Sequence, residues 1–330
     1  MKRDWSQVKQ IIQQHQKFIL TTHINPDGDG LGSEIALAEY LKSIGKQATI
    51  INKTPMANNY KFLDPFNEIL VYEAAKHQHL LEEADVFLIL DISDWGRLRE
   101  VGSFIKESSR QKVCIDHHHC PYPFTEMDVI DSKVSSTGEL VFDLLRELGA
   151  LLNQRIADAI YTCILTDTGS FRFSNTTPRA HHIVAELIEI GVNSRKIYES
   201  VYEQNSAAKM RLLGMILQKL NFDCSGNLAW FNITQKMLEQ TGANSWDTEG
   251  FADFPRSIEG VEVSLMFTEI EPNRTKISFR SKGRIIVNTL SMKLGGGGHE
   301  FASGAMLEYP LRQANAIVLD EARRLFDLSC

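Results

Sequence analysis

The sequence predicts an α/β protein: a doubly wound, mainly parallel sheet followed by a second, smaller mixed α/β domain. Three observations lead there. In the first half, short apolar runs alternate with helical patterns, as strands and crossover helices do in parallel sheets. Polar clusters stand directly after three of those runs. Beyond Leu220 strand signals return in a new setting, around a glycine run at 295–298.

Taken in order, Asp4 to Lys17 carries Val8, Ile11, Ile12 and His15 at helical spacing, and Phe18 to Thr22 reads as a short buried strand. Leu31 to Ile44 is helical and stops at Gly45, and Ala48 to Ile51 is strand-like. Further strands are expected at Ile69 to Tyr72, Val86 to Leu90 and Lys112 to Ile115. From Ser136 the pattern turns helical: S-T-G-E at 136–139 spells a capping box, and helices follow at 152–165, 178–190 and 206–220. Thr177 caps the second of these, with Pro178 at its first position. Strands resume at Leu228 to Ile233, Val261 to Ile270 and Thr275 to Phe279, and an amphipathic helix from Leu311 to Phe326 closes the chain. The polar stretch Gly191 to Asn205 holds the boundary, giving domains at 1–195 and 216–330 joined by a helical linker at 196–215.

Composition limits the function classes. The 330 residues exceed what one core usually organises. With 43% hydrophobic and 23% charged residues the chain is globular. No apolar run approaches the roughly 18 residues of a membrane span, so a cytoplasmic protein is expected. Cysteines 114, 120, 163, 224 and 330 are scattered and without a C-x-x-C pair, which suggests reduced thiols rather than a disulfide framework or zinc ribbon. A net charge of −7 argues against coating long duplex nucleic acid.

The three strand-end clusters are His23 with Asp27 and Asp29, Asp91, and Asp116 with His117 and His118. In a doubly wound sheet such positions converge on one edge. Around the first cluster Pro26, Gly28, Gly30 and Gly32 are expected to turn the chain tightly, so that the His and Asp side chains point inward from a loop that then enters a helix. Each residue has a plainer reading when taken singly. Asn-Pro-Asp-Gly is turn chemistry, a strand-end Asp is often a helix cap, a lone His usually packs, and Asp167 in T-D-T-G also reads as a cap. Recurrence at three successive strand ends favours a metal site. Imidazole and carboxylate without thiolate suit Mn²⁺ or another hard-to-borderline divalent ion. His23, Asp27, Asp29, Asp91, His117 and Asp167 exceed the needs of one ion. Two ions about 3.5–4 Å apart with a shared carboxylate fit the set, an arrangement that serves in-line displacement at phosphorus.

In the second domain, 272–299 carries Arg274, Lys276, Arg280, Lys282, Arg284 and Lys293 and no acid. A basic strand is often a solvated sheet face. Gly296, Gly297 and Gly298 beside His299 add a second signal, since bare backbone N–H groups can approach a phosphate or base.

These residues resemble the DHH phosphoesterase superfamily. H-I-N-P-D-G-D-G-L-G-S from His23, L-D-I-S-D around Asp91, D-H-H-H from Asp116 and T-D-T-G-S-F around Asp167 match its four motifs in order. L-G-G-G-G-H-E-F-A-S-G-A from Leu294 is similar to the signature of the DHH-associated C-terminal domain. The resemblance implies two Mn²⁺ ions per chain in a cleft between the domains: His23 and Asp27 on one, Asp29, His117 and Asp167 on the other, Asp91 bridging. It further implies that Asp116 orients an imidazole, that His118 faces the phosphate as a catalytic group, and that Arg280, with Gly296, Gly297, Gly298 and His299, binds the far end of a nucleotide. His119, outside the motif, is given a surface position.

The activity implied is that of the nanoRNase and pAp phosphatase group, an exonuclease-like release of mononucleotides from very short RNA and conversion of 3′-phosphoadenosine 5′-phosphate (pAp) to AMP. The implied partners are short RNA or a nucleotide and a second copy of the chain as a homodimer, with neither long duplex nucleic acid nor a membrane. Two alternatives stay open. One is a phosphodiesterase for cyclic di-AMP or linear pApA; the other is an inactive nucleotide-binding regulatory module, whose mark would be a lost ligand. Family-II pyrophosphatases lack the glycine–histidine ending, and RecJ-like exonucleases are generally longer.

Overall fold

Each apolar run read as a strand in the first half becomes a parallel strand, and one further strand joins them. In the computed structural model, which describes residues 4–327, the chain divides into two compact units after Gln204. Cys330 and the termini of the two expected domains lie outside the described residues.

The first unit runs α1 (Ser6–Gln14), β1 (Lys17–Thr21), α2 (Gly28–Ser43), β2 (Gln47–Asn52), β3 (Leu70–Val71), α3 (Ala74–Glu83), β4 (Val86–Leu90), α4 (Arg99–Glu107), β5 (Gln111–Asp116), β6 (Met127–Ile130), α5 (Thr137–Glu147), α6 (Gln154–Asp167), α7 (Pro178–Ile190) and α8 (Ser194–Tyr202). Its sheet has the order β3-β2-β1-β4-β5-β6, parallel throughout. The order reverses between β1 and β4, so their carboxyl ends flank the crevice where such sheets bind ligands. All five residues of β4 are buried, because helices cover both faces of a parallel sheet and leave no solvated side. Phe18 and Leu20 enter the larger core with α2, α5 and α6, and Ile19 enters the smaller one with α3 and α4. The strand missed in the sequence, β6, is a half-buried edge whose Asp128 accepts from Phe124 N and Thr125 N. The polar stretch after Gly191 contains α8, capped by Asn193.

The second unit runs α9 (Ala207–Leu217), β7 (Asn221–Asp223), β8 (Leu228–Ile233), α10 (Gln235–Thr241), β9 (Val263–Glu271), β10 (Arg274–Ser281), α11 (Asn288–Lys293), β11 (Gly297–His299), β12 (Ala302–Leu307) and α12 (Leu311–Asp327). Its sheet order is β11-β12-β10-β9-β8-β7, antiparallel except for the parallel β8–β9 pair. Ile277 and Phe279 alternate into the core on the α12 side, which leaves Ser278 and Arg280 on the other face. Among the described residues no helix is long and apolar enough to cross a membrane, and cysteines 114, 120 and 163 are free.

Candidate metal centre

The carboxyl ends of β1, β4 and β5 and the end of α6 bring eight of the expected site residues into one neighbourhood. His23 follows β1, and its Nδ1 lies 2.9 Å from Ile24 O. A carbonyl only accepts, so Nδ1 carries a proton and Nε2 is the atom turned to the site. That Nε2 sits 3.5 Å from Asp27 Oδ2 and 3.5 Å from Asp91 Oδ2. Asp27 is the N-cap of α2, with Oδ1 accepting from Asp29 N and Gly30 N, so only Oδ2 is left for the site.

Asp29 lies in the first turn of α2 rather than in a loop. Its two oxygens accept from Thr137 N at 2.7 Å and Gly138 N at 2.9 Å, buried N–H groups that begin α5 and have no partner within the helix. Asp91 follows β4 with a φ of +59°, a left-handed backbone that costs a non-glycine residue about 1–3 kcal/mol and persists only where the surroundings hold it. Here its N–H donates to Ile115 O, and Thr137 Oγ1 donates to its Oδ1. Oδ2 faces His23, and Oδ1 lies 3.7 Å from His117 Nε2.

His117 follows β5, and Asp167 ends α6. Three carboxylate oxygens ring His117 Nε2: Asp91 Oδ1, Asp29 Oδ2 at 3.7 Å and Asp167 Oδ2 at 3.6 Å. This nitrogen is buried and has no hydrogen-bond partner. A lone pair facing three carboxylates without a proton or cation between them is repulsive, and burial strengthens the repulsion. Asp116 orients the neighbouring ring: its Oδ1 accepts from His118 N at 3.1 Å and lies 2.7 Å from His118 Nδ1.

The titration behaviour records the same excess of negative charge. Burial and then the charges of Asp91, Asp167 and Asp27 push the Asp29 carboxyl far up, and burial takes Asp167 to about 6. Burial opposes a charge on His23, but Asp27 and Asp91 overcome it and lift the imidazole to about 10. For His118 burial again works against the charge, and the Asp116 hydrogen bond with nearby acids wins, at about 9. A cation resolves these conflicts at once. Three donor groups can hold one: His23, Asp27 and Asp91; Asp29, His117 and Asp167; and Asp91, His117 and His118. The nitrogen and oxygen donors suit a hard-to-borderline divalent ion.

The glycines of the first motif do a different job from the turn chemistry expected of them. Gly28, Gly30 and Gly32 are inside α2, and the left-handed residue of this stretch is Asn25, at φ +54°. A Cβ on Gly28 would lie 2.6 Å from Thr166 Oγ1, and one on Gly32 2.4 Å from Ala159 O, so the bare face lets α2 press against α6. A Cβ on Gly138 would meet Cys163 Cβ at 2.2 Å. Close packing of α2, α5 and α6 thereby brings Asp29, Thr137 and Asp167 together. Thr137 and Gly138 escaped the sequence reading because S-T-G-E was read only as a cap. Ser136 does accept from Glu139 N, but the Glu139 carboxylate turns to Ser135 N and Oγ.

The other five expected residues belong to the second unit. His299 registers with Ala302, and Ala302 with Arg280, which puts the two basic groups two strands, roughly 10 Å, apart on one face. Gly296 and Gly298 are required by packing: a Cβ would lie 2.0 Å from Gly304 O and 2.7 Å from Ala302 O respectively, and Gly298 has a φ of +137°. Gly297 alone of the three faces open space.

Residues 17–164 match the DHH family, N-terminal domain, and residues 232–327 the DHHA1 domain. The chain is 31% identical over 312 residues to the bifunctional oligoribonuclease and PAP phosphatase NrnA of Thermus thermophilus, covering 92% of this chain and 88% of that one. Among solved structures, an exopolyphosphatase-related protein from Bacteroides fragilis superimposes with a TM-score of 0.92 at 29% identity, over 98% of this chain and 96% of that one. RecJ in complex with Mn²⁺ from Thermus thermophilus shares the fold, with a TM-score of 0.53 at 12% identity over 98% of this chain and 54% of that one. The chain belongs to the DHH family and is a hydrolase of phosphoester bonds.

Proposed function

We propose that this protein hydrolyses very short oligoribonucleotides to mononucleotides and pAp to AMP, using two Mn²⁺ ions. The observation that carries this reading is the division of Asp91. Its Oδ2 faces His23, which also meets Asp27, and its Oδ1 faces His117, which also meets Asp29 and Asp167, as a shared ligand between two cations requires. In that reading His23 and Asp27 hold one ion and Asp29, His117 and Asp167 the other. The names of the similar NrnA proteins of Thermus thermophilus and Bacillus subtilis support the substrate class.

When bound, such a pair of cations supplies Lewis-acid neutralisation of the phosphoryl oxygens and a more acidic water. The chain's own residues do the rest. Asp116 holds the His118 ring by Nδ1, so His118 presents its other nitrogen, Nε2, as a donor to a phosphate oxygen. Thr137 and Gly138 fix Asp29 in one orientation, and Thr137 Oγ1 does the same for Asp91. In the second unit Arg280 and His299 bind the nucleotide portion of the substrate, with Gly297 leaving room beside them.

Asp91→Ala, assayed with Mn²⁺ on a dinucleotide and on pAp, tests the reading. Turnover is expected to fall on the order of 10⁴-fold, the scale seen when a group on which a whole catalytic unit depends is removed. Activity near that of the parent would end the proposal.

A further inference from the structure

The T-D-T-G-S-F motif ends in an unusual backbone. Gly169, Ser170 and Phe171 have successive φ values of +55°, +60° and +65°, one left-handed turn that folds the chain back over the end of α6. Ser170 N donates to Leu165 O, and Arg172 N and Phe173 N both donate to Thr168 O. The returning chain delivers Asn175 to Asp167, at the same oxygen that faces His117. Its Nδ2 lies 3.1 Å from Asp167 Oδ2, 3.2 Å from Asp167 O and 2.8 Å from Ser135 O. All three partners are acceptors, so the amide can be placed only one way round.

Ser135 stands at the entrance to α5. Its N–H and hydroxyl are held by Glu139, and two residues on, Thr137 N and Gly138 N donate to Asp29. Asn175 therefore ties the carboxylate of Asp167 to the segment that holds the carboxylate of Asp29. These are the two acids that face His117 Nε2 beside Asp91. No such bond from Asn175 reaches His23 or Asp27.

We infer that Asn175 is a positioning residue for the cation site made by Asp29, His117 and Asp167, acting through Asp167 and leaving the site at His23 and Asp27 untouched. The inference rests on the two-cation reading above. Amides and carbonyls behind ligating groups typically change metal affinity 10- to 100-fold when removed, and a loss of that size at one site of two is measurable.

The 330-residue chain is titrated with Mn²⁺ by calorimetry and followed by electron paramagnetic resonance, for the parent, Asn175→Ala and the similarly sized, uncharged Asn175→Leu. Circular dichroism checks the fold, and either variant that folds decides. The expected result is one site at parental affinity and one weakened 10- to 100-fold, with the exchange-coupled signal of an ion pair replaced by that of isolated Mn²⁺. In an Asp167→Ala background Asn175→Ala should then cause no further loss, since its effect passes through that carboxylate. Parental binding by the variants, equal weakening of both sites, or a loss that persists without Asp167 overturns the inference. A parent that does not take two ions overturns the two-cation reading instead.

Discussion

The two units treat charge in opposite ways. In the first, acids and imidazoles are gathered at a buried sheet edge and left without enough partners, so that His117 Nε2 has none. In the second, four of the six basic residues between 272 and 299 already have a carboxylate: Arg274 with Glu308, Arg280 with Asp253, Arg284 with Glu262 and Lys293 with Glu321. A buried charge deficit has to be met from outside the chain, whereas paired surface cations are neutral on balance and worth little to stability. In the proposed reading the chemistry belongs to the first unit and recognition to the second.

The largest effect that sharpens this contrast concerns Glu34, a fully buried carboxyl of the first unit. Its Oε2 accepts from Asn52 Nδ2, whose Oδ1 accepts from Thr22 N, next to His23. Burial pushes Glu34 from 4.5 to about 8. A raised carboxyl holds its proton in the folded state, so its stabilising contribution is complete below about pH 4.5 and is lost as pH rises through about 8. Glu34→Gln keeps an acceptor for Asn52 and does not titrate. Relative to the parent, the variant should gain roughly 4–5 kcal/mol in denaturant unfolding between about pH 4.5 and pH 9. Parallel pH curves would break the claim that the first unit buries carboxyls without enough partners to keep them ionised.

A smaller effect is expected in the glycine run. Gly296→Ala forces a Cβ against Gly304 O at 2.0 Å and should lower stability by about 1–3 kcal/mol. Gly297→Ala enters open space and should stay within roughly 0.5 kcal/mol of the parent. Equal thermal shifts for the two would contradict a loop in which packing and access fall to different glycines. Smallest is Arg280→Ala, expected to raise KM about 10-fold, worth ~1.4 kcal/mol, with kcat kept. A fall in kcat at constant KM would move part of the chemistry into the second unit.

Much of the first unit could be read because its signals are local. Five parallel strands are apolar runs bounded by helical periodicity, and His23, Asp91 and Asp116–His118 stand at or within two residues of strand ends. The missing parts depend on contacts between distant segments. Nothing in D-G-D-G-L-G says that Gly28 lies against Thr166 and Gly32 against Ala159 and Cys163 rather than in a turn. Thr137, Gly138 and Asn175 reach Asp29, Asp91 and Asp167 through the packing of α5 and α6 and a left-handed turn, none of which has a periodic signature. The half-buried β6 carries an Asp and lacks the alternation of a strand. In the second unit, Gly296 and Gly297 are identical in sequence and differ in where a Cβ would point, against Gly304 O of β12 for the first and into open space for the second.

Anomalous diffraction at the manganese edge from crystals grown with Mn²⁺ tests the shared-ligand arrangement most directly. Two peaks about 3.5–4 Å apart are expected, with Asp91 between them, His23 and Asp27 on one side and Asp29, His117 and Asp167 on the other. A single peak, peaks elsewhere, or Asp91 turned away from both ions would contradict it.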